Sequence, residues 1–345
     1  MHFINLQRSV KILEIRVIIA AVVAAVAAFL LTFGVRKLSP ILGFMDIPRD
    51  DRRMHETAVP RAGGVAVYIA FLIAMCITGL WELLLPYAVC GTIIMAVGLA
   101  DDKISISPKT KLVVQALAGA VLCLFGITVE ELSFFGLELD LGWAAYPLTV
   151  IWVIAITNVF NLIDGLDGLC CGLSIIGAGA IGLLAYFDGN TELIICSLLF
   201  VASCVGFLPH NAHKAKIFIG DSGAMLCGFT LATLSCQTVF ESRMSVPSLT
   251  AIVIFGIPLF DATFAVIRRI KGKSNIFVGD KKHVHHRLSA RYGHRNAVIL
   301  LYVGALLLGG IAILMGASLV CEIIAVILFV LVLAYAIVRF GIYKN

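Results

Sequence analysis

The densest chemistry in the chain lies in Thr157–Leu169, where Asn158, Asn161, Asp164 and Asp167 recur at intervals of three. If the helix continues through this stretch, that interval stacks all four on one face. Gly165 and Gly168 strip side chains from the same region and open its backbone to something bulky. A polar stripe at the end of an apolar run (Ala144–Ile156) is costly in hydrocarbon unless it meets water, a metal or a substrate. The competing reading is a structural polar seam between helices.

Other clusters supply complementary chemistry. Asp101 and Asp102 are adjacent carboxylates that repel, so one of them should hold a cation, a metal or a proton. Lys103, Lys109 and Lys111 follow as partners of the carboxylates or binders of phosphate. Gly220, Asp221, Ser222 and Gly223 open a helix whose free N–H groups suit an anion, and Asp221 suits Mg²⁺ beside substrate phosphates. A plainly capped helix start is the alternative there. His283, His285, His286 and Arg287 follow Lys281 and Lys282 and read as a transition-metal site, a pyrophosphate clamp or a loop held by lipid head groups. Arg287 and the lysines favour the anion, because Arg binds phosphate in bidentate fashion. Arg52, Arg53, His55 and Arg61 form a cationic patch suited to a lipid phosphate at the bilayer surface, against a reading of ordinary basic bias. Asp261 follows Pro258, which should kink its helix, and either pairs with Arg268 and Arg269 or lines a groove.

The elements that position these groups are apolar. Of 345 residues 61% are hydrophobic and 14% charged, against about a quarter charged in soluble domains, so the chain is an integral membrane protein. Runs long enough to span predict an all-α polytopic fold of about eleven transmembrane helices. They fall near 16–36, 63–81, 84–100, 111–127, 144–160, 169–187, 191–208, 222–240, 246–269, 296–316 and 319–340. A single membrane domain, 1–345, is the simplest division. Residues 128–143 alternate polar and apolar around Gly136 and read as a small β-hairpin on the outer face. With alternating spans, 22 of the 26 Lys and Arg fall on one face, together with every His except His2, which makes that face cytoplasmic. The net charge of +5 therefore describes a basic cytoplasmic mouth and carries no nucleic-acid implication. The ten Cys fall in or beside apolar runs without a Cys-x-x-Cys pair and read as small buried hydrophobes.

Carboxylates for Mg²⁺ and many cations for phosphate, all on one membrane face, are the inventory of phosphoryl transfer. At a membrane boundary the two substrates are a lipid phosphate and a soluble phosphate donor.

Four motifs in order, Ala100-Asp-Asp, Asn158-x-x-Asn-x-x-Asp-Gly-x-Asp-Gly, Lys216-Ile-Phe-x-Gly-Asp-Ser-Gly and His283-x-His-His-Arg, closely resemble the polyprenyl-phosphate N-acetylhexosamine-1-phosphate transferase family, in its WecA/TagO branch. The resemblance implies transfer of N-acetylglucosamine 1-phosphate from UDP-N-acetylglucosamine (UDP-GlcNAc) to undecaprenyl phosphate, with release of UMP. It implies Mg²⁺, with Mn²⁺ as a substitute, on Asp221 with Asn161 as second ligand. Asp101 and Asp102 match the pair that handles the lipid phosphate, and Asp164 belongs to the same catalytic cluster. Lys111 matches a lysine on the diphosphate; Asp167 and Phe218 match positions that hold and stack on uracil, and Asn158 is placed with them. The loop of His283, His285, His286 and Arg287 matches the one that reaches the sugar and pyrophosphate, while Arg53, His55 and Arg61 are assigned to the lipid phosphate. The branch that makes the first peptidoglycan lipid shows three consecutive His and then Phe-Glu; His-Val-His-His-Arg here favours UDP-GlcNAc over UDP-MurNAc-pentapeptide. The implied partners are the two substrates and membrane lipids, with a homodimer as a further expectation. The implied setting is the plasma membrane, with the site on its cytoplasmic face and a cell-envelope glycan such as teichoic acid or O-antigen as the destination.

Three rivals compete. A histidine-rich di-iron oxygenase would pair His210-x-x-His213 with the His loop. A CDP-alcohol phosphotransferase wants Ala-Arg soon after Asp164-Gly165, which is absent. A transporter would use Asp261, but would gather its polar residues near the midplane.

Overall fold

The computed structural model describes residues 2–46, 58–240, 248–271 and 283–339; Arg52, Arg53, His55, Lys281 and Lys282 lie outside these. Among the described residues the chain is almost entirely helical, with α1 (His2–Leu42), α2 (Gly64–Thr78), α3 (Trp81–Ile104), α4 (Pro108–Leu124), α5 (Ala145–Ile163), α6 (Leu169–Phe187) and α7 (Thr191–Asn211) in the first part. There follow α8 (Gly220–Ser235), α9 (Leu249–Ile254), α10 (Gly256–Lys271), α11 (Val284–Tyr292), α12 (His294–Met315) and α13 (Leu319–Arg339). Among the described residues six helices are long and apolar enough to cross a membrane: Glu14–Leu42 within α1, α3, Gly142–Ile163 around α5, α6, α7 and α12. Helix α2 and the segment Leu319–Val332 are shorter apolar helices. The multi-pass, all-α character follows from these elements.

Two antiparallel ribbons interrupt the helices. Strands β1 (Met45–Asp46) and β2 (Val59–Pro60) pair next to α2. Strands β3 (Glu131–Phe134) and β4 (Leu137–Asp140) pair around Phe135 and Gly136, whose φ values of 49° and 78° give the two left-handed residues of a type I′ turn. The Phe135 amide donates to Glu322 of α13 at 3.0 Å, which ties this ribbon to the helices.

The ninth apolar run departs from a single kinked helix. It breaks at Phe255 into α9 and α10, because Pro258 has no N–H to bond the Ile254 carbonyl four residues back. The break leaves α10 to begin at Gly256 and carry Asp261, with Arg268 and Arg269 two turns further on.

Helix α8 is the centre of the bundle. Every residue from Ser222 to Ser235 is buried, the pattern of a helix covered all round. It packs on α2, α3, α5 and α6. The approaches are close enough to demand small residues: a Cβ on Gly98 would stand 2.3 Å from Ser222 Cα, and one on Gly228 2.6 Å from Thr157 Cα. Gly228→Ala must therefore push α8 off α5, at a typical overpacking cost of about 1–3 kcal/mol. Gly179, on α6, has nothing within 4 Å of its would-be Cβ. Thermal unfolding in detergent should show a clear drop in Tm for Gly228→Ala and none for Gly179→Ala.

Candidate active site

Helix ends bring the acidic residues together. Asp101 and Asp102 lie in the last turn of α3, Asp164 caps the C-terminus of α5, and Asp221 opens α8. The polar stripe of Thr157–Leu169 does not continue as one helical face, because α5 stops at Ile163 and the chain turns through Asp164–Gly168 before α6. Gly168, with φ of +77°, supplies the left-handed residue that the turn requires.

Asp102 is buried and used up structurally. Its Oδ1 accepts the Asp221 N–H at 2.8 Å, and its Oδ2 accepts the Ser222 N–H at 3.1 Å and the Ser222 hydroxyl at 2.7 Å. It therefore caps α8 from another helix, an anion seated on free N–H groups at the positive end of the dipole. Gly220 lets it in: a Cβ there would lie 2.7 Å from Asp102 Oδ2. Asp101 accepts the Ile106 N–H at 2.6 Å and pairs with Lys111 from the first turn of α4.

Arg61 reaches the same place from the other side. Its Nε stands 3.7 Å from Asp102 Oδ1 and its Nη2 3.8 Å from Asp221 Oδ2. It arrives there because residues 60–64 lie along residues 218–219. Phe218 N donates to Pro60 O at 2.9 Å, Gly63 N to Phe218 O at 3.0 Å and Gly64 N to Ile219 O at 2.9 Å. The structure thus sets Arg61 beside the carboxylates, and gives Phe218 a backbone role beside its half-buried ring.

The donor set fits a divalent cation. Burial, then the neighbouring Asp101 carboxyl, push the Asp221 carboxyl up to about 7. Burial, then the neighbouring charge of Asp221, push the Asp164 carboxyl well above the usual carboxylate range, against the opposing pull of Arg61. Asn161 Oδ1 is buried with no hydrogen-bond partner, an acceptor left for a cation. Arg61 Nε is likewise buried without an acceptor, a donor left for an anion. Carboxylate oxygens, an amide oxygen and substrate phosphate are what Mg²⁺ selects.

The remaining expected residues are distributed around this cluster. Asn158 spends its amide on Gln115 of α4 at 2.5 Å and on Ile154 O at 2.8 Å, one turn further into the bundle. Asp167 turns away from Asp164 toward His213 and His294: its Oδ2 accepts the Ala215 N–H at 3.1 Å, and its own N–H donates to His294 Nε2 at 3.0 Å. The His213 and His294 rings stack at 5.0 Å. His210 does not join them, for it is wedged between Phe29 and Phe33 of α1 at centroid distances of 4.6 and 4.7 Å, which removes the metal pair that the oxygenase rival needs. His283, His285 and His286 gather at the start of α11, with Arg287 in its first turn.

Two partnerships escaped the sequence reading. Asp261 does not pair with Arg268 or Arg269; its Oδ2 is 2.6 Å from His285 Nδ1 and 3.2 Å from His283 Nδ1. Its position past Pro258 in an apolar run was the available signal, and the partner across the loop was not. His294 meets Asp167 from α12, 127 residues away, and no local spacing announces it.

Comparison with known proteins agrees with this geometry. The profile of glycosyl transferase family 4 matches residues 84–239, which hold Asp101 through Asp221. A Bacillus subtilis (strain 168) protein named "Probable undecaprenyl-phosphate N-acetylglucosaminyl 1-phosphate transferase" is 37% identical over 294 residues, 84% of this chain and 82% of the relative. The Escherichia coli (strain K12) undecaprenyl-phosphate alpha-N-acetylglucosaminyl 1-phosphate transferase is 33% identical, over 83% of this chain and 80% of its own. A Mycobacterium leprae (strain TN) decaprenyl-phosphate N-acetylglucosaminephosphotransferase is 34% identical over 81% of this chain and 79% of its own. A match that runs through the whole carboxylate cluster at this identity settles the descent: the chain belongs to the polyprenyl-phosphate N-acetylhexosamine-1-phosphate transferase family.

Proposed function

We propose that this protein transfers N-acetylglucosamine 1-phosphate from UDP-GlcNAc to undecaprenyl phosphate, giving undecaprenyl-diphosphate-GlcNAc and UMP. The names of its relatives support the reaction. The observation that carries it is a set of carboxylates at helix ends, Asp101, Asp164 and Asp221, with the Arg61 guanidinium beside Asp221, Lys111 on Asp101, and an unpartnered Asn161 Oδ1 one turn before Asp164. A cation and a phosphate together complete that site, and neither alone does. The basic loops that flank it support a cytoplasmic site in a plasma-membrane enzyme of about eleven spans, with the Glu131–Asp140 ribbon on the opposite side, and a cell-envelope glycan as the product's destination.

In this reading Asp221 and Asn161, with Asp164 beside them, would hold Mg²⁺, which when bound would supply positive charge against the phosphate oxygens. An oxygen of the lipid phosphate attacks the β-phosphorus in line; that P–O bond forms as the bond from the β-phosphorus to the bridging oxygen breaks, and UMP keeps the electron pair. A phosphate monoester has its second pKa near 6, so the attacking oxygen is already ionised at neutral pH and needs no base. Asp102 is therefore a positioning residue that seats α8, and Asp101 orients Lys111. Arg61 and Lys111 hold phosphate oxygens and offset charge as it shifts.

The first test is purified protein in detergent with undecaprenyl phosphate, Mg²⁺ and radiolabelled UDP-GlcNAc. Label should enter the lipid phase in step with UMP release; chelation should abolish it and Mg²⁺ or Mn²⁺ restore it. Label only from UDP-MurNAc-pentapeptide would overturn the donor, and none from any nucleotide sugar would overturn the reaction.

The two kinds of carboxylate should separate in a second measurement. Asp221→Asn should abolish transfer yet leave Tm in chelator equal to or above wild type, because it removes one charge from a crowded anionic site. Asp102→Asn should lower both activity and Tm, since charged hydrogen bonds of the kind it loses are worth about 1.5–3 kcal/mol each. Equal Tm for Asp102→Asn and wild type would show that Asp102 does not anchor α8.

A further inference from the structure

Asp261, on α10, is buried, and it grips the histidine loop with both oxygens. Oδ1 accepts the Val284 N–H at 2.5 Å, and Oδ2 faces His285 Nδ1 at 2.6 Å and His283 Nδ1 at 3.2 Å. Asp261, His283 and His285 are 4%, 4% and 1% exposed.

These are hydrogen bonds rather than ligands around a vacant ion. Two ligands of one tetrahedral ion at about 2.0–2.2 Å lie about 3.3 Å apart, well beyond the 2.6 Å between His285 Nδ1 and Asp261 Oδ2. An ionised carboxylate only accepts, so both Nδ1 atoms carry their protons. A neutral imidazole with its proton on Nδ1 leaves Nε2 as an acceptor.

That acceptor is placed at the edge of the active site. His285 Nε2 is buried and has no hydrogen-bond partner. It lies against the turn that begins at Asp164: a Cβ on Gly165 would stand 2.4 Å from it. The Gly165 N–H cannot serve it, being given to Ile163 O at 2.8 Å. A buried acceptor beside a glycine, one residue from Asp164, is waiting for a donor from outside the protein.

Resting on the reaction proposed above, we infer that Asp261 is a positioning residue for it: Asp261 fixes His285 with Nδ1 protonated, so that Nε2 accepts a hydroxyl or amide N–H of the bound nucleotide sugar beside Gly165. Asp261→Asn tests this sharply. The Val284 N–H needs an acceptor and so holds the Asn carbonyl in the Oδ1 position. The amide NH₂ then faces the imidazoles, and His285 must accept at Nδ1 and carry its proton on Nε2.

The test is a kinetic cycle of wild type, Asp261→Asn, His285→Gln and the double variant, with Mg²⁺, undecaprenyl phosphate and UDP-GlcNAc. Asp261→Asn should lower kcat about 10- to 100-fold, the usual effect of losing a partner that orients a working His. In the His285→Gln background the same change should cost less than about threefold, because coupled residues are non-additive. Equal losses in the two backgrounds would overturn the proposal. Independently of activity, ¹⁵N-histidine NMR of the full chain, with the His285 signals assigned from their loss in His285→Gln, should show the Nδ1–H tautomer in wild type and the Nε2–H tautomer in Asp261→Asn. An Nε2–H tautomer in the wild-type protein, or stoichiometric zinc that Asp261→Asn releases, would overturn it as well. Should UDP-GlcNAc prove not to be a substrate, the proposed reaction falls and the tautomer measurement alone decides the role of Asp261.

Discussion

The structure turns on one side chain taking the end of another helix. Asp102, at the tip of α3, accepts the first N–H groups of α8 and the Ser222 hydroxyl, and so decides where Asp221 stands. Four carboxylates at one place would otherwise drive the helix ends apart. Two of them are neutralised by the protein itself: Asp102 by the α8 terminus and Arg61, Asp101 by Lys111 and the Ile106 N–H. The other two, Asp164 and Asp221, are pushed toward the protonated form by burial and by the neighbouring carboxylates. That division separates the carboxylates that build the site from those that await a cation.

The close packing of α8 serves the same end. Because Gly98 admits Ser222 and Gly220 admits Asp102, the first turn of α8 is held by backbone rather than by long side chains. The extended pairing of residues 60–64 on 218–219 then carries Arg61 to the opposite side of the same turn. A guanidinium fixed by strand-like backbone contacts loses little freedom when it meets phosphate, which is where pre-organisation gains affinity and rate.

Much of this was legible in the chain. Hydrophobic runs located α2 to α8 and α12 to within a few residues, since burial in lipid and burial in protein both demand apolar sequence, while the polar start of α1 and the polar α11 gave no such signal. The acidic motifs were legible because two or more carboxylates at helix ends are costly without a ligand. Spacing misled where a helix stopped: the interval of three predicts one face for Asn158, Asn161, Asp164 and Asp167, but the glycines end α5 and send Asp164 and Asp167 to different neighbours. Nor does hydropathy foresee the split at Phe255, which depends on one missing N–H in an otherwise continuous run. Partners chosen across the fold, such as Gln115 for Asn158 and Asp261 for His285, follow from tertiary packing that local pattern does not encode.

The turn from Asp164 to Gly168 shows why such distant partners matter. Gly165 is pressed by His285 from α11, Asp167 is held by the 213–215 segment and by His294 of α12, and the Gly168 carbonyl accepts the Tyr302 hydroxyl of α12 at 2.5 Å. Three separate parts of the chain thus converge on five residues whose own backbone hydrogen bonds are few: the Gly165 N–H to Ile163 O, and the Leu166 and Gly168 carbonyls accepting from Leu169 and Gly172. A loop at the end of a membrane helix is ordinarily free to move; gripped in this way it keeps Asp164 at a fixed place beside Asp221. The residues that grip it are drawn from the same carboxylate and imidazole chemistry that a substrate would meet, so the scaffold of the turn and the walls of the site are built from one set of side chains. Any change in α11 or α12 that shifts His285, His294 or Tyr302 is therefore transmitted to Asp164 through the turn, without touching a phosphate itself.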